Sequence, residues 1–495
     1  MEKAGGDIMV NSNLVQQLDT EPQQVVEIQE SPVKWCSIAL SDVLMKGNRL
    51  EASVFDVEAM QAYKLVSTGK YPTVNLIAAD GFIEKAHYGG RLKRNYVEKS
   101  HENSVGFIGS SEMLDVNPKP VKYMVDTDKV KDLHVKKNTV LISRSGTIGN
   151  MSFVNSTLSK FLVSEHAMRL ECRYAPGYVY AFLKTKIGQA MIHSNIYGAV
   201  ISQVEPEHLA TIPIPKAPDR LINKIDALIK KSYALRDESN NLIERATQMM
   251  IAELSLPPIE QLGACCPLVN TFSVKLSNLA GRADASYHMP LVNAIIEHLK
   301  KYAEEVTVVG DPRISKEVIL PGRFKRVYVE EGYGRVFIGG KQIWELDPCN
   351  KKYLSIAQHG DRITKQLELH ENMTLITCSG TIGKVSLVGK HWENWTANQH
   401  IIRIVPSSDD IAGYMNVFLA SDYGYPLITR FTYGSVVDEI DDNHVRQIAI
   451  PLLKDKSIQK QINDLALEAN EKRYEAYCLE QEATRAMNSD VIFAK

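Results

Sequence analysis

The residues best placed to do chemistry in this sequence are cations beside aromatic rings, and they occur twice. Arg91, Lys93, Arg94 and Tyr96 lie in Gly90-Arg-Leu-Lys-Arg-Asn-Tyr-Val-Glu98. Arg323, Lys325, Arg326 and Tyr328 lie in Gly322-Arg-Phe-Lys-Arg-Val-Tyr-Val-Glu330. Alternate residues of a strand share a side, so Arg91 and Lys93 would present one cationic edge to phosphates. The alternative is a solvated strand face on which Glu98 and Glu330 pair with part of that charge. Lys122 and Lys352 follow at matched positions. A second doubled unit is Ser-Gly-Thr-Ile-Gly at 145–149 and 379–383. Its glycines permit positive φ and leave backbone N–H groups uncovered. Ser145, Thr147, Ser379 and Thr381, flanked by Arg144 and Lys384, could therefore meet a phosphate; a tight strand-to-strand turn would use the same residues. Tyr197-Gly198 and Tyr433-Gly434 open a later loop, where an aromatic beside glycine suits a groove contact or plain packing equally. His166 and His400 sit in strand-like runs and read as hydrogen-bonded core histidines.

Signatures of catalysis are missing. Ser379-Gly-Thr-Ile-Gly-Lys384 lacks the leading glycine of a phosphate-cradling P-loop, and Gly332-Tyr-Gly334 is not followed by glycine at dinucleotide-binding distance. No Asn/Asp-Pro-Pro-Tyr, HExxH or GxSxG stands in the chain, nor any CxxC pair. The seven cysteines are odd in number and scattered, which argues against a disulfide scaffold or structural zinc and for a reducing compartment.

These residues repeat because the chain repeats. The two basic runs match at seven of nine positions with an offset of 232. Phe107-Ile-Gly109 returns as Phe337-Ile-Gly339, and Asn138–Gly149 (NTVLISRSGTIG) returns as Asn372–Gly383 (NMTLITCSGTIG). His166, Arg169, His208 and Pro215 return as His400, Arg403, His444 and Pro451. The offset changes only between matched blocks, which places length changes near 99–106, 124–132 and 171–176. Surface loops tolerate such changes. Two copies thus share a framework and differ in loops, as one scaffold would to meet two targets.

Each copy ends in a long helix. A 4-3 spacing runs Leu221, Ile225, Leu228, Ser232, Leu235, Ser239, Leu242, Ala246, Met249, a coiled-coil seam over 218–254 about 55 Å long. Ile458, Ile462, Leu465, Ala469, Lys472, Ala476, Leu479, Ala483 and Ala486 form a weaker seam that needs a partner. Two equivalent helices in one chain pack best antiparallel, with rough two-fold symmetry. The expected fold is α/β (α+β): two homologous domains joined by two long antiparallel coiled-coil helices. The expected boundaries are a poorly ordered acidic arm at 1–32, a first domain at 33–217 and a central spacer helix at 218–254. A linker at 255–270, a second domain at 271–455 and a C-terminal spacer helix at 456–490 follow. Composition is globular, with 44% hydrophobic and 23% charged residues and a net charge of −2 over 495 residues. That balance argues against coating nucleic acid along the whole surface but allows local basic faces. No apolar run is long enough for a membrane span.

In this doubled order the motifs resemble the specificity subunit of type I restriction-modification enzymes. Arg49-Leu-Glu-Ala-Ser53 and Arg282-Ala-Asp-Ala-Ser286 are similar to the Arg-Leu-Asp-Ala motif that opens target recognition domains in that family. The resemblance implies a non-catalytic, cytoplasmic subunit in which each domain reads half of a split double-stranded DNA site. The paired helices would act as a ruler and dock two modification subunits. Those partners, not this chain, would carry S-adenosylmethionine and methylate adenine, and a restriction subunit is an optional addition. The acidic arm and near-neutral charge depart from the simplest pattern. They leave open a DNA-binding or scaffold subunit of another methylation-based defence system, or a stand-alone DNA-modifying enzyme.

Overall fold

A computed structural model describes residues 37–45, 52–196, 202–264, 271–279, 281–434 and 436–494. The expected arm at 1–32, most of Arg49–Ser53 and the Tyr197-Gly198 pair lie outside these residues.

The first copy opens with helix α1 (Val57–Ser67) and continues through β1 (Thr73–Asn75), β2 (Ile83–His87), β3 (Tyr96–Val97), β4 (Ser104–Ile108) and β5 (Lys122–Val125). Then come β6 (Val140–Ser143), β7 (Met151–Phe153), β8 (Leu162–Val163), β9 (Ala167–Cys172), α2 (Pro176–Lys184), α3 (Lys186–His193), β10 (Pro213–Pro215) and the long α4 (Asp219–Glu253). The second copy repeats this order: α5 (Pro290–Tyr302), β11 (Glu305–Val308), β12 (Ser315–Ile319), β13 (Tyr328–Val329), β14 (Gly334–Ile338) and β15 (Lys352–Ser355). It ends with β16 (Thr374–Thr377), β17 (Val385–Leu387), β18 (Thr396–Ala397), β19 (Ile401–Pro406), α6 (Asp409–Leu419), α7 (Gly424–Thr429), β20 (Ala449–Leu452) and α8 (Lys456–Ala486).

Sheet orders are β2-β9-β6-β7 and β3-β5-β4-β8 in the first copy, and β12-β19-β16-β17 and β13-β15-β14-β18 in the second. The short pairs β1-β10 and β11-β20 complete the match. The central strands β6 and β16 are buried throughout, as their unbroken Val-Leu-Ile and Thr-Leu-Ile runs require. The fold class is therefore the expected mixed one, doubled.

Two local expectations change, for the basic runs and for the linker. Arg91–Arg94 and Arg323–Arg326 are not strands, because β3 and β13 pair only at Tyr96–Val97 and Tyr328–Val329. The basic runs are unpaired extended chain leading into them. The stretches 177–193 and 413–430 are each divided into two helices, α2 with α3 and α6 with α7. Thr185 Oγ1 accepts from Gly188 N (3.0 Å) while donating to Phe182 O (2.7 Å), so one hydroxyl ends α2 and starts α3. Ser421 Oγ does the same between α6 and α7. The expected linker is partly packed: Ile259–Ala264 is helical, and Leu256 and Leu262 join the core of the second copy.

The long helices run antiparallel. Ile222, Ile225, Ile229 and Tyr233 near the start of α4 share the first copy's core with Ala483, Ala486 and Met487 at the end of α8. Ala246, Met250 and Leu254 at the end of α4 share the second core with Ile462 and Ala466 near the start of α8. Between these ends the seam is small: Ser232 Oγ donates to Ala476 O at 2.7 Å, and Arg473 Nε to Ser239 Oγ at 3.3 Å. The seam is not a free coiled coil. α4 also buries Ile222, Ile229, Asn240 and Met250, a second stripe that packs on the globular domains.

The two copies also touch directly, so the helices alone do not set their separation. Val116 N bonds Trp344 O at 2.9 Å, and Asp115 pairs with Glu345 in an isolated antiparallel bridge. Asp115 and Glu345 are matched positions, related by the offset of 230 that links Phe107 to Phe337. The pseudo-two-fold axis thus passes through this bridge. Val116, Leu346, Leu235 and Ala476 form a small cluster there. Burial pushes the Asp115 and Glu345 carboxyls up to about 7 and about 8.

Glycines mark the closest helix contacts. A Cβ on Gly413 would stand 2.4 Å from Asn463 O and 3.0 Å from Ala466 Cβ, whereas one on Gly360 meets nothing within 4 Å. Ala is normally the better helix former by about 1 kcal/mol. Gly413→Ala is therefore expected to destabilise by about 1–3 kcal/mol through overpacking, and Gly360→Ala to be neutral or stabilising. Urea unfolding of both variants checks this pair of opposite signs.

Candidate nucleic-acid interface

The second sheet of each copy carries a stack of alternating cations and rings. The Arg94 guanidinium lies 5.0 Å from the centroid of Phe107, Phe107 is 6.1 Å from Tyr96, and Lys122 Nζ sits 5.0 Å above Tyr96. In the second copy Arg326, Phe337, Tyr328 and Lys352 reproduce it at 5.5, 6.0 and 5.3 Å. Pairing of β3 with β5 and of β4 with β5 brings Tyr96, Lys122 and Phe107 side by side. Tyr96 and Tyr328 are each 43% exposed, a large aromatic face left to solvent. Cation–ring contacts of this kind hold long side chains in place while leaving their charge available. Phe107 and Phe337 were visible as a repeated pair in the sequence, yet nothing there assigned them to the site.

The cations differ in what holds them. Arg91, Lys93 and Lys325 are exposed. Arg94 Nη2 donates to both oxygens of Glu165 at 2.7 Å, while its counterpart Arg326 donates to the neutral amide oxygen of Gln399 at 2.7 Å. Arg323 is exposed and pairs with Glu439 at 3.2 Å. Arg144 must be removed from the set of available cations. Its side chain is buried, bonded to Glu205 and to Gln203 (3.0 Å), and stacked 3.9 Å from the ring centroid of Tyr88. Lys384 is removed for a different reason: it lies 4.2 Å over the Trp344 ring, at the junction between copies, rather than at the turn tip.

The Ser-Gly-Thr-Ile-Gly segments are turns between β6 and β7 and between β16 and β17. Gly146 and Gly380 have φ of +77° and +74°, and a Cβ on either would meet open space, so conformation rather than crowding demands glycine. Thr147 and Thr381 are exposed at the tips; Ser145 and Ser379 are half-buried. Ser145 Oγ contacts His166 Nδ1 at 2.7 Å. His166 and His400 are therefore not core residues. They stand half-buried at the rim, between the turn and the basic run. Burial, then Arg326 and Arg323, lowers the His400 pKa and favours the neutral ring.

In the second copy the later loop joins the same surface. Ser379 and Tyr433 each bridge Glu439, and Gly380 N bonds Asp438 O at 3.1 Å. Tyr433 is 43% and Val436 94% exposed at its tip. Tyr433, the turn and Arg323 thus meet around Glu439. The region of unequal length between β5 and β6 is a 3-10 turn at Asp128–Leu133 in the first copy, and a helix at Ile356–Arg362 running into a wider turn in the second.

One buried arginine per copy fixes this surface. Arg169 on β9 donates to the carbonyls of Ser164, Ala167, Leu133 and Val163, at 2.5–3.3 Å. Arg403 on β19 reaches the matched carbonyls of Asn398, Ile401, Leu367 and Ala397. Each ties the second sheet and the histidine loop to the first sheet. Desolvation lowers the two pKa values to about 10 and about 9.

Among the described residues no group of His, Cys, Asp and Glu could hold a metal ion, and no helix is long and apolar enough to cross a membrane. The geometry defines a class: a tandem pair of α/β domains, each with an exposed cation–aromatic surface beside a glycine turn. No protein-family model and no curated protein matches the chain. Solved structures similar to it include the S subunit of a type I restriction-modification system from M. genitalium, at 11% identity, covering 85% of this chain and 98% of that one, with a TM-score of 0.30. The HsdS subunit from Thermoanaerobacter tengcongensis is similar at 12% identity over 86% of this chain and 99% of that one, TM-score 0.26. A chain from a structure described by complex assembly and conformational transition of the type I R-M system is similar at 13%, over 84% and 98%, TM-score 0.25.

The Arg94–Glu165 pair gives a pH test. Burial opposes ionisation of Glu165, but the hydrogen bonds and charge of Arg94, a backbone hydrogen bond and His166 together outweigh it and hold the carboxyl below its ordinary 4.5. A depressed acid adds stability above its unfolded pKa and loses it as pH falls through the folded value. Glu165→Gln should therefore cost about 1–2 kcal/mol at pH 7, and the deficit should shrink near pH 3. Equal deficits in urea unfolding at both pH values would contradict the assignment.

Proposed function

We propose that this chain is a non-catalytic subunit that reads a bipartite site on double-stranded DNA. The observation that carries this reading is the cation–ring stack and its neighbouring glycine turn, built twice on one framework. Phosphate contact needs exposed cations held near a surface, which Arg91, Lys93, Arg323, Lys325 and the two stack lysines supply. Base reading needs a variable element beside them. Residues 110–137 and the helix-bearing counterpart in the second copy fill that role, together with the loop tip at Tyr433 and Val436. Each domain reads one half-site, and the fixed junction between copies sets the spacer.

In this reading the partners are two DNA methyltransferase subunits that bring S-adenosylmethionine and methylate adenine, docked on the helix pair, with a restriction subunit as an optional addition. The chain itself holds no cofactor and works in the cytoplasm. The doubled motifs, including Arg282-Ala-Asp-Ala-Ser286, support this choice over a protein scaffold. In the structure that motif is a local anchor: Arg282 pairs with Asp284 at 2.6 Å and stacks 4.9 Å from Tyr287.

Binding to random duplex DNA, alone and with an adenine methyltransferase subunit, tests the reading. No duplex binding at low salt in either arm would overturn it. Lys325→Ala should weaken binding on all sequences alike and reduce the log–log salt slope by about one. Exchanging residues 110–137 should alter one half of the methylated site only, as read by genome-wide methylation sequencing.

A further inference from the structure

The junction between the two halves is electrostatically one-sided. Five ion pairs cross it among the described residues, and in every one the cation belongs to the first half and the carboxylate to the second. Lys184 and Arg236 both pair with Glu480, and Lys184 also approaches Asp347 at 3.9 Å. At the rim, Lys186 reaches Glu331 at 3.3 Å and Lys99 reaches Asp422 at 3.8 Å. Lys184, Arg236 and Glu480 have side chains 16%, 8% and 1% exposed, so their pairing is made away from water.

The repeat shows what each residue's counterpart is. Offsets of 232 and 236 relate Lys99 to Glu331 and Lys186 to Asp422. The rim pairs are therefore the same two positions with the signs exchanged. In the long helices, Gly177 N meets Asp226 and Gly413 N meets Asn463, which sets the helix offset at 237. Arg236 then corresponds to Arg473, and Glu480 to Ile243. Lys184 corresponds to Ala420 and Asp347 to Asn117. Where the first site holds Arg236, Lys184 and Glu480, the matched groove is lined by Arg473, Ala420 and Ile243, with Lys119 beside them.

We propose that this junction is coded for unlike pairing, so that the first half fits the second half of the chain and rejects a second copy of itself. Two first halves placed on the same axis would bury Arg236 and Lys184 twice, facing Ile243 and Asn117 in place of Glu480 and Asp347. Their rims would oppose Lys99 to Lys186. Two second halves would oppose Glu331 to Asp422. Removing the acid from a buried ion pair leaves uncompensated charge, a heavier loss than the pair's own worth. Like pairing of first halves is disfavoured by about two orders of magnitude or more on this account. The repeated framework alone would let either half pair with its own kind; the charges prevent it and keep two unlike domains in one molecule.

A protease site placed among residues 265–270 allows the folded full chain to be nicked, unfolded in urea and refolded, with native mass spectrometry counting the products. Only first-half–second-half pairs are expected; like pairs at the statistical one-to-two-to-one ratio would overturn the proposal. Ile243→Glu supplies the missing acid, and it should raise pairs of first halves at least about tenfold while still allowing an ion pair with Arg473 in the intact chain. No rise would also count against the proposal. If refolding yields no soluble pairs, the intact chain decides. Glu480→Ile should lower the unfolding midpoint, and Lys184→Ala added to it, the residue found at the matched position, should recover part of the loss. A double variant no more stable than Glu480→Ile would show that the buried cations carry no penalty.

Discussion

Neither globular copy closes its own core. The first is completed by Ala483, Ala486, Met487, Val491 and Ile492 from the end of the second half, and the second by Ala246, Met250 and Leu254 from the helix of the first. Burying side chains such as Met487 and Ile492 contributes about 1.5–3 kcal/mol each, so this exchange is a large share of the margin by which a domain is stable. Everything else follows from it. The helices must be antiparallel to reach both cores, they must be long enough to span the gap, and their mid-seam must be small so that they approach closely. Ser232, Ser239 and Ala476 are that mid-seam, and the serine bonds to the partner helix compensate for the polarity they bury.

The repeat carries the site because the same arginine holds it in both copies. Arg169 and Arg403 are 1% and 0% exposed and have no acid in hydrogen-bonding contact; four carbonyls take the place of a counter-ion. A guanidinium offers its donors in a fixed fork, so the carbonyls it satisfies are fixed relative to one another. Those carbonyls belong to β8 or β18, to the histidine loop and to the segment before β6 or β16. The cation–ring stack and the glycine turn are thereby set at the same relation in both halves, although the loops between them differ in length.

Much of this was legible in the sequence, and the failures have physical reasons. The strand–turn runs at 138–149 and 372–383 were readable because buried apolar residues and glycines demand a specific backbone there. The repeat exposed the basic runs with Tyr96 and Tyr328, and showed Phe107 and Phe337 only as a matched pair without a role. His166 and His400 were misread because flanking β9 and β19 look continuous with them, while the loop that lifts them to the rim depends on Arg169 and Arg403 from further along the chain. Arg144 stands where the second copy has Cys378, and its partner Glu205 lies too far along the chain for the sequence to pair them. The inter-copy junction was invisible. Val116, Leu346, Lys184 and Glu480 show no period and no motif, and their meaning exists only once two distant segments are brought to one axis.

The two surfaces keep the same rings and redistribute the same kind of charge. In the first copy Arg94 is neutralised by Glu165, and the exposed cations are Arg91, Lys93 and Lys122. In the second, Arg326 keeps its full charge because an amide holds it, while Arg323 shares its own with Glu439. Phosphate attraction depends mainly on the total and changes little between such arrangements. Contact with base edges depends on where each donor stands and on what it is already bonded to. On the DNA-reading function proposed above, a framework that keeps rings and backbone but moves the free cation by a few residues would keep affinity for the polymer similar in both halves and let recognition diverge. The unlike lengths between β5 and β6 and between β15 and β16 act in the same direction, since they change the shape beside an unchanged stack.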